Sequence, residues 1–236
     1  MTDKLKAINH KYNYFRYMLM KKLLITEIFT SIQGESTYAG KTCFFIRLAE
    51  CNLNCSYCDT KYAFDKEKAN ELSIDKIVEL AVSAGINLVE ITGGEPLLQK
   101  DVLFLCDELI KNGFTVLIET NGSLPISRLN PKVIKILDCK CPSSNESGKM
   151  NFDNFNHLSD SDEIKFVLAN KEDYIYAKSI ISKYKLTEIT QKILYSPIPG
   201  KLAPQLLSKW MIKDKSIVTL QLQLHKIIWP GIEKGV

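Results

Sequence analysis

The sequence predicts an α/β fold, an open or partial (β/α)6 TIM-like barrel, and three observations carry that expectation. Short apolar runs alternate with amphipathic stretches about six times, the pattern of parallel strands returning through helices. Polar and glycine-rich segments follow those runs, and in α/β folds ligands bind at the C-terminal ends of strands. The chain of 236 residues suits about six units better than the closed eight-unit form at ~250.

Residues 1–20 are basic and aromatic without a clean period. They are expected to be a flexible N-terminal extension with no assigned role, ahead of one core domain over 21–236. The run 23–29 is β-rich, and Thr30-Ser31-Ile32-Gln33-Gly34-Glu35-Ser36 breaks it with a glycine between polar side chains that make directional hydrogen bonds. Residues 42–49 are apolar on both faces except at Arg47, as expected of a parallel strand covered on two sides. A buried arginine needs an anion. A structural salt bridge would serve, but a ligand carboxylate is favoured, because Arg47 lies just before a cysteine-rich stretch and its planar fork matches a carboxylate.

That stretch, Cys51-Asn-Leu-Asn-Cys55-Ser-Tyr-Cys58-Asp59-Thr60, places three thiols in a CxxxCxxC spacing. Thiolates hold zinc and iron–sulfur clusters. A closed zinc site would want a fourth Cys or His nearby, and none follows in the next twenty residues. A cubane held by three cysteines keeps one iron free for a cofactor. The bland alternative, three packing thiols, would seldom produce this spacing in a chain with only seven cysteines.

Further along, Ser73 caps a helix that Gly85 stops, and a strand over 86–92 follows. It ends in Thr92-Gly93-Gly94-Glu95-Pro96, where two glycines are expected to admit a ligand close to the backbone, and Pro96 to start a helix over 97–112. A strand over 114–119 ends in Glu119-Thr120-Asn121-Gly122, and another over 133–140 contains Cys139 and precedes Cys141. Those two thiols are expected to diverge on opposite faces and to pack, giving one cluster only. His157 reads as a surface residue in a polar loop. Strands over 163–168 and 189–195, the latter ending in Ser196-Pro197-Ile198-Pro199-Gly200, alternate with helices over 171–184 and 201–213, before a tail containing His225.

With 31 basic and 27 acidic residues, a net charge of +4 and no long basic run, the chain lacks a nucleic-acid footprint. A small anionic ligand is expected instead. An odd number of cysteines argues for a reducing, cytoplasmic setting. No apolar run nears the ~20 residues of a membrane span, and no signal-peptide block is visible, so neither a membrane nor a secreted protein is expected.

CxxxCxxC with Asp59-Thr60, the Thr92-Gly93-Gly94-Glu95-Pro96 turn and the Glu119-Thr120-Asn121-Gly122 turn together resemble radical S-adenosylmethionine (SAM) enzymes over most of 21–236. Ile32-Gln33-Gly34-Glu35, Arg47, Cys58-Asp59-Thr60 and the tail around His225 further resemble the 7-carboxy-7-deazaguanine synthase family of the queuosine pathway. The resemblance implies a lyase with the partial barrel of the radical SAM type, a [4Fe-4S] cluster, SAM and Mg²⁺. Its reaction contracts the ring of 6-carboxy-5,6,7,8-tetrahydropterin and releases ammonia, using SAM as a catalytic cofactor. It also implies a homodimer and a separate one-electron donor of flavodoxin or ferredoxin type, since no flavin or second-cluster motif is visible.

Carried over by resemblance, Cys51, Cys55 and Cys58 are the cluster ligands and Thr60 a Mg²⁺ ligand. Tyr57, Cys58, Asp59, Gly94, Asp138, Cys139, Lys140, Ser196, Pro197, Ile198 and Pro199 lie in segments that contact SAM. Ile32, Gln33, Gly34, Glu35, Thr92, His225 and the terminal Val236 form the substrate shell, and Arg47 and Glu119 carry catalytic roles. Arg47 would clamp the pterin carboxylate, and Gln33 with the carboxylates would read the aminopyrimidinone edge. A glycyl-radical activating enzyme and a non-catalytic zinc module are the alternatives.

Overall fold

The computed structural model describes residues 21–236; the extension expected over 1–20 lies outside the described residues. The strands are β1 (Lys22–Ile32), β2 (Thr42–Leu48), β3 (Asn70–Ser73), β4 (Leu88–Gly93), β5 (Thr115–Thr120), β6 (Ile134–Asp138), β7 (Glu163–Leu168), β8 (Ile193–Pro197) and β9 (Thr219–Leu220). They form one sheet in the order β3-β1-β2-β4-β5-β6-β7-β8-β9. From β2 through β9 every pairing is parallel, whereas β1 runs antiparallel to both β2 and β3. This is the partial barrel, with an antiparallel hairpin edge added. The helices are α1 (Ile74–Ala84), α2 (Val102–Lys111), α3 (Lys171–Lys183), α4 (Pro204–Lys213) and the short α5 (Leu224–Ile228).

Side chains alternate across each strand, so the sheet has two different faces. Phe44, Ile46, Leu48, Val89, Ile91, Val116, Ile118, Ile164 and Phe166 belong to the main core, packed with the helices. On the opposite face, Cys43, Phe45, Leu88, Leu117 and Ile136 form a separate apolar cluster. Two residues beyond several of these stand Arg47, Glu90, Glu119 and Asp138, and the parallel register sets Arg47 beside Thr92 and Asp138 beside Lys165. The inner face is thus an apolar plug below a tier of charge.

Local chemistry fixes the element ends. The Ser73 hydroxyl accepts from the Lys76 amide at 3.3 Å, and Gly85 ends α1 in the left-handed region at φ 68°. The single helix expected over 97–112 is instead a 3₁₀ turn, Pro96–Leu98, followed by α2. Its cause is Gln99, whose amide accepts from Leu24 N at 2.8 Å and donates to the carbonyls of Leu24 and Ala49. Those bonds pin the turn to β1 and force the helix to start again.

Candidate active site

β2 leaves the sheet through Glu50, a non-glycine residue at φ 71°, directly before Cys51. Its amide donates to Ala63 O and its carbonyl accepts from Glu95 N, each at 2.8 Å. These bonds hold the strained turn. Gly93 and Gly94 lie against it: a Cβ on Gly93 would stand 2.3 Å from Leu48 O, and one on Gly94 2.0 Å from Glu50 O. The two glycines were expected to make room for a ligand; what they first admit is the chain's own backbone, and Gly94 also borders the cavity.

The loop beyond Glu50 is tied across the barrel. Asn54 N donates to Glu146 Oε1 at 2.8 Å, and Ser56 N to Ser144 O at 3.0 Å. Cys51, Cys55 and Cys58 all line one cavity of about 700 Å³ at the C-terminal ends of the strands, a size suited to a cofactor and a small substrate together. Burial pushes the Cys51 and Cys55 thiols up, Cys55 to about 11, while Asn121 and Lys140 respectively oppose the shift. Asn121 Nδ2 is 3.7 Å from Cys51 Sγ.

The residues present fit an iron–sulfur cluster with SAM. Among the described residues no three or more His, Cys, Asp or Glu groups gather as a single-ion site. A cubane spreads its thiolates over different irons, whereas zinc draws its ligands around one ion. Three buried polar atoms of cavity-lining residues lack partners among the described residues, Tyr57 OH, Asp138 Oδ1 and, at the charged end, Gln223 Oε1. Unpaired buried polar groups are costly and point to an absent polar ligand. Asp138 Oδ2 accepts from Lys140 Nζ at 2.7 Å.

Three residues expected beside SAM do not reach the cavity. Cys139 is fully buried in the main core, because the alternation that turns Asp138 and Lys140 inward turns it toward the helices. Cys141 shares that core, so the two thiols expected to diverge pack on one side, as a spacing of two in extended backbone dictates. Ser196 and Pro197 are buried within β8, where Pro197 still stands in register with Leu168; the next two residues, Ile198 and Pro199, reach the opening.

The other end of the cavity is charged. Ile32, Gln33, Gly34 and Glu35 border it, as do Thr92, Glu119 and Val236. Gln33 Nε2 donates to Glu90 Oε2, and its Oε1 accepts from Glu35 N at 3.0 Å. Lys165 Nζ donates to Glu35 Oε2 at 2.6 Å and also to Glu119 Oε1. Gln223 Nε2 donates to Glu35 Oε1 at 2.7 Å. His225 presses on Gly34, where a Cβ would lie 2.2 Å from Nδ1, and burial holds its pKa below the usual value.

Arg47 is 15 % exposed in its side chain, and its Nε donates to Glu27 Oε1 at 2.7 Å. The structural ion pair weighed against a ligand carboxylate therefore exists. Arg47 also lines the cavity, and neither Nη atom carries a hydrogen bond among the described residues. Glu27 accepts in addition from Tyr62 OH at 2.7 Å and Gly235 N at 3.2 Å, which draws the C-terminal tail over the arginine. Thr60 lines the cavity and donates its hydroxyl to Asp59 Oδ1 at 3.0 Å; Asp59 in turn pairs with Lys226 at 2.7 Å. His157 is at the surface, 3.4 Å from Asp153.

Reading the sequence missed Glu27, Glu90, Lys165 and Gln223. Glu90 and Lys165 carried the signal that singled out Arg47, a charge inside an apolar strand. Burial, reinforced by Glu119, pushes Glu90 up to about 8. With an unfolded value near 4.5, the folded state holds an extra proton between about pH 4.5 and 8. Stability from this group is therefore full in acid and declines as pH rises through that window. Glu90→Gln keeps the contact with Gln33 and should flatten that decline, raising the melting temperature at pH 8 by about 2–4 °C for each ~1 kcal/mol recovered. Equal wild-type and variant melting curves from pH 5 to 8 would count against an uncharged Glu90.

A family model described as the radical SAM superfamily matches residues 46–138. A 7-carboxy-7-deazaguanine synthase from Koribacter versatilis is 40 % identical over 226 residues, covering 90 % of this chain and 99 % of the relative. One from Chlorobaculum tepidum is 42 % identical over 217 residues, covering 91 % and 97 %. Among solved structures, QueE from Escherichia coli superposes with a TM-score of 0.73 at 24 % identity, covering 87 % of this chain and 97 % of that one, which supports the fold. No helix among the described residues is long and apolar enough to cross a membrane.

Proposed function

Because the chain belongs to the 7-carboxy-7-deazaguanine synthase family of radical SAM enzymes, we propose that its cavity converts 6-carboxy-5,6,7,8-tetrahydropterin to 7-carboxy-7-deazaguanine and ammonia. One observation carries the reading: the three loop thiols open onto the same cavity as Arg47, Glu35 and Glu119. The thiols would hold the cofactors at one end, and the charged residues would hold an acid-bearing, hydrogen-bonding heterocycle at the other. Loss of ammonia accounts for the whole difference between substrate and product, so no stoichiometric oxidant is required. The activating-enzyme and zinc-module alternatives gain nothing from these relatives.

When bound by these residues, the cluster and SAM would supply radical hydrogen-atom abstraction chemistry. The protein supplies position and dryness. Cys51, Cys55 and Cys58 would hold the cluster, with Asn121 and Lys140 beside the sulfurs. Tyr57, Asp59, Gly94, Asp138, Lys140, Ile198 and Pro199 would border SAM. The Nη edge of Arg47 would clamp the carboxylate, and Gln33, Glu35, Glu119, Thr92 and His225 would read the ring. A homodimer and an external flavodoxin- or ferredoxin-type donor complete the proposal.

Thr60 would add one neutral oxygen to a Mg²⁺ ion otherwise held by substrate and water, since Mg²⁺ takes six oxygens at about 2.0–2.1 Å and keeps several waters. Thr60→Ala should then raise the Mg²⁺ concentration needed for half-maximal turnover by about 10-fold, a loss of ~1.4 kcal/mol, with iron content unchanged. An unaltered Mg²⁺ dependence would reduce Thr60 to a partner of Asp59. The function itself is tested by incubating anaerobically reconstituted protein with the carboxytetrahydropterin, SAM, Mg²⁺ and a reductant. 7-carboxy-7-deazaguanine and ammonia are expected in equal amounts; SAM cleavage without either product would overturn the reading.

A further inference from the structure

Lys165 sits at the third position of β7, 4 % exposed, in the middle of the charged tier. Glu35 reaches it from the loop after β1, and Glu119 from the end of β5. Asp138 stands beside it in register on β6, while Glu90 on β4, Asp59 on the cysteine loop, Glu163 on its own strand and His225 on the tail complete the titratable groups around it. A lysine this buried is retained only where carboxylates compensate it, and those carboxylates are equally dependent on the lysine.

The bonding pattern says what the cluster offers a ligand. Glu35 spends Oε2 on Lys165 and Oε1 on Gln223. Glu119 spends only Oε1 on Lys165; its side chain is 25 % exposed, which leaves Oε2 open to the cavity. Glu90, a buried carboxyl on β4, contacts Gln33 rather than the lysine. One ammonium therefore fixes the direction of two acid side chains from two separate elements, and Glu119 keeps an acceptor for a ligand.

Resting on the function proposed above, we propose that Lys165 is a positioning residue for this reaction: by bridging Glu35 and Glu119 it holds both as carboxylates and fixes the open oxygen of Glu119 as a hydrogen-bond acceptor for an N–H group of the bound heterocycle. Burial works against the ammonium, but Glu119 and Glu35 outweigh it and hold the lysine charged. Without it, burial and mutual repulsion would return a proton to one carboxylate. A protonated acid in that place turns a donor toward the ring's own donors.

The test uses full-length reconstituted protein and its Lys165→Met variant, with iron content and melting temperature as controls for folding. Binding of the product, 7-carboxy-7-deazaguanine, is measured by equilibrium dialysis from pH 6 to 9, alongside kcat and KM for the carboxytetrahydropterin. Lys165→Met is expected to weaken product binding and raise KM about 10–100-fold at pH 7. Both should recover partly at pH 9, as the carboxylates ionise again and the acid limb of kcat/KM moves to higher pH. Binding equal to wild type, or a loss that is the same at every pH, would overturn the inference. If Lys165→Met does not retain its cluster, Lys165→Arg decides. It keeps the charge but not the single bridging nitrogen, so weaker binding with an unmoved acid limb is expected, and unchanged binding or a moved limb is the adverse result. Wild-type protein that binds the product but forms none would count against the function while leaving the binding test of Lys165 intact.

Discussion

Cys55→Ala is expected to leave the reconstituted protein with almost no bound iron and no SAM cleavage. The thiol lies 7 % exposed between Cys51 and Cys58, at the edge of the cavity. A cubane with one open iron depends on three protein thiolates, and removing one takes away a third of them. No described side chain stands ready to replace it, because Cys139 and Cys141 are turned into the helix-facing core and Cys43 joins the apolar cluster below the charged tier. Alanine at Cys43, Cys106, Cys139 or Cys141 should therefore keep the iron and cost only about 1 kcal/mol of packing. Iron and sulfide analysis with the absorption spectrum reads both arms. A Cys139→Ala protein that lost iron while Cys55→Ala kept it would reverse the ligand assignment.

The chemistry was legible in the sequence where it was written in contiguous residues. The cysteine loop, the Gly93-Gly94 turn and the Gln33-Gly34-Glu35 loop each announce themselves by local spacing; the first two share a rim because β2 and β4 run parallel, whereas the third follows the antiparallel β1 and enters the same cavity from the opposite ends of those strands. What depended on register was harder to read. Glu90 and Lys165 each interrupt an apolar run, but one sequence does not say that a lysine on β7 meets carboxylates from β5 and from the loop after β1. Cys139 belongs to one motif segment with Asp138 and Lys140, yet alternation sends neighbours to opposite faces. The antiparallel pairing of β1 leaves no mark in its own residues, since apolar alternation does not distinguish antiparallel from parallel partners. Gln99 broke the expected long helix through a contact about 75 residues away in sequence.

Arg47→Ala is expected to raise KM for the carboxytetrahydropterin about 30–150-fold while the protein keeps its cluster, with SAM cleavage uncoupled from product still measurable. The arginine's fork is only partly used: Nε is committed to Glu27, while neither Nη carries a hydrogen bond among the described residues and Arg47 lines the cavity. A charge-assisted contact to a carboxylate is worth about 2–3 kcal/mol, which gives that range. The Glu27 ion pair makes the orientation of the fork independent of the ligand. Glu27 in the variant still accepts from Tyr62 OH and Gly235 N, so the loss should fall on the ligand more than on the fold. Lysine is a poor substitute, since one ammonium cannot reproduce a rigid fork that serves Glu27 from one edge and a carboxylate from the other. Lys at 47 should thus recover little of the affinity. Binding of 7-carboxy-7-deazaguanine against its decarboxylated analogue separates the two roles of the arginine: wild type should prefer the acid strongly and Arg47→Ala should lose that preference. A variant that keeps full discrimination would confine Arg47 to its ion pair with Glu27.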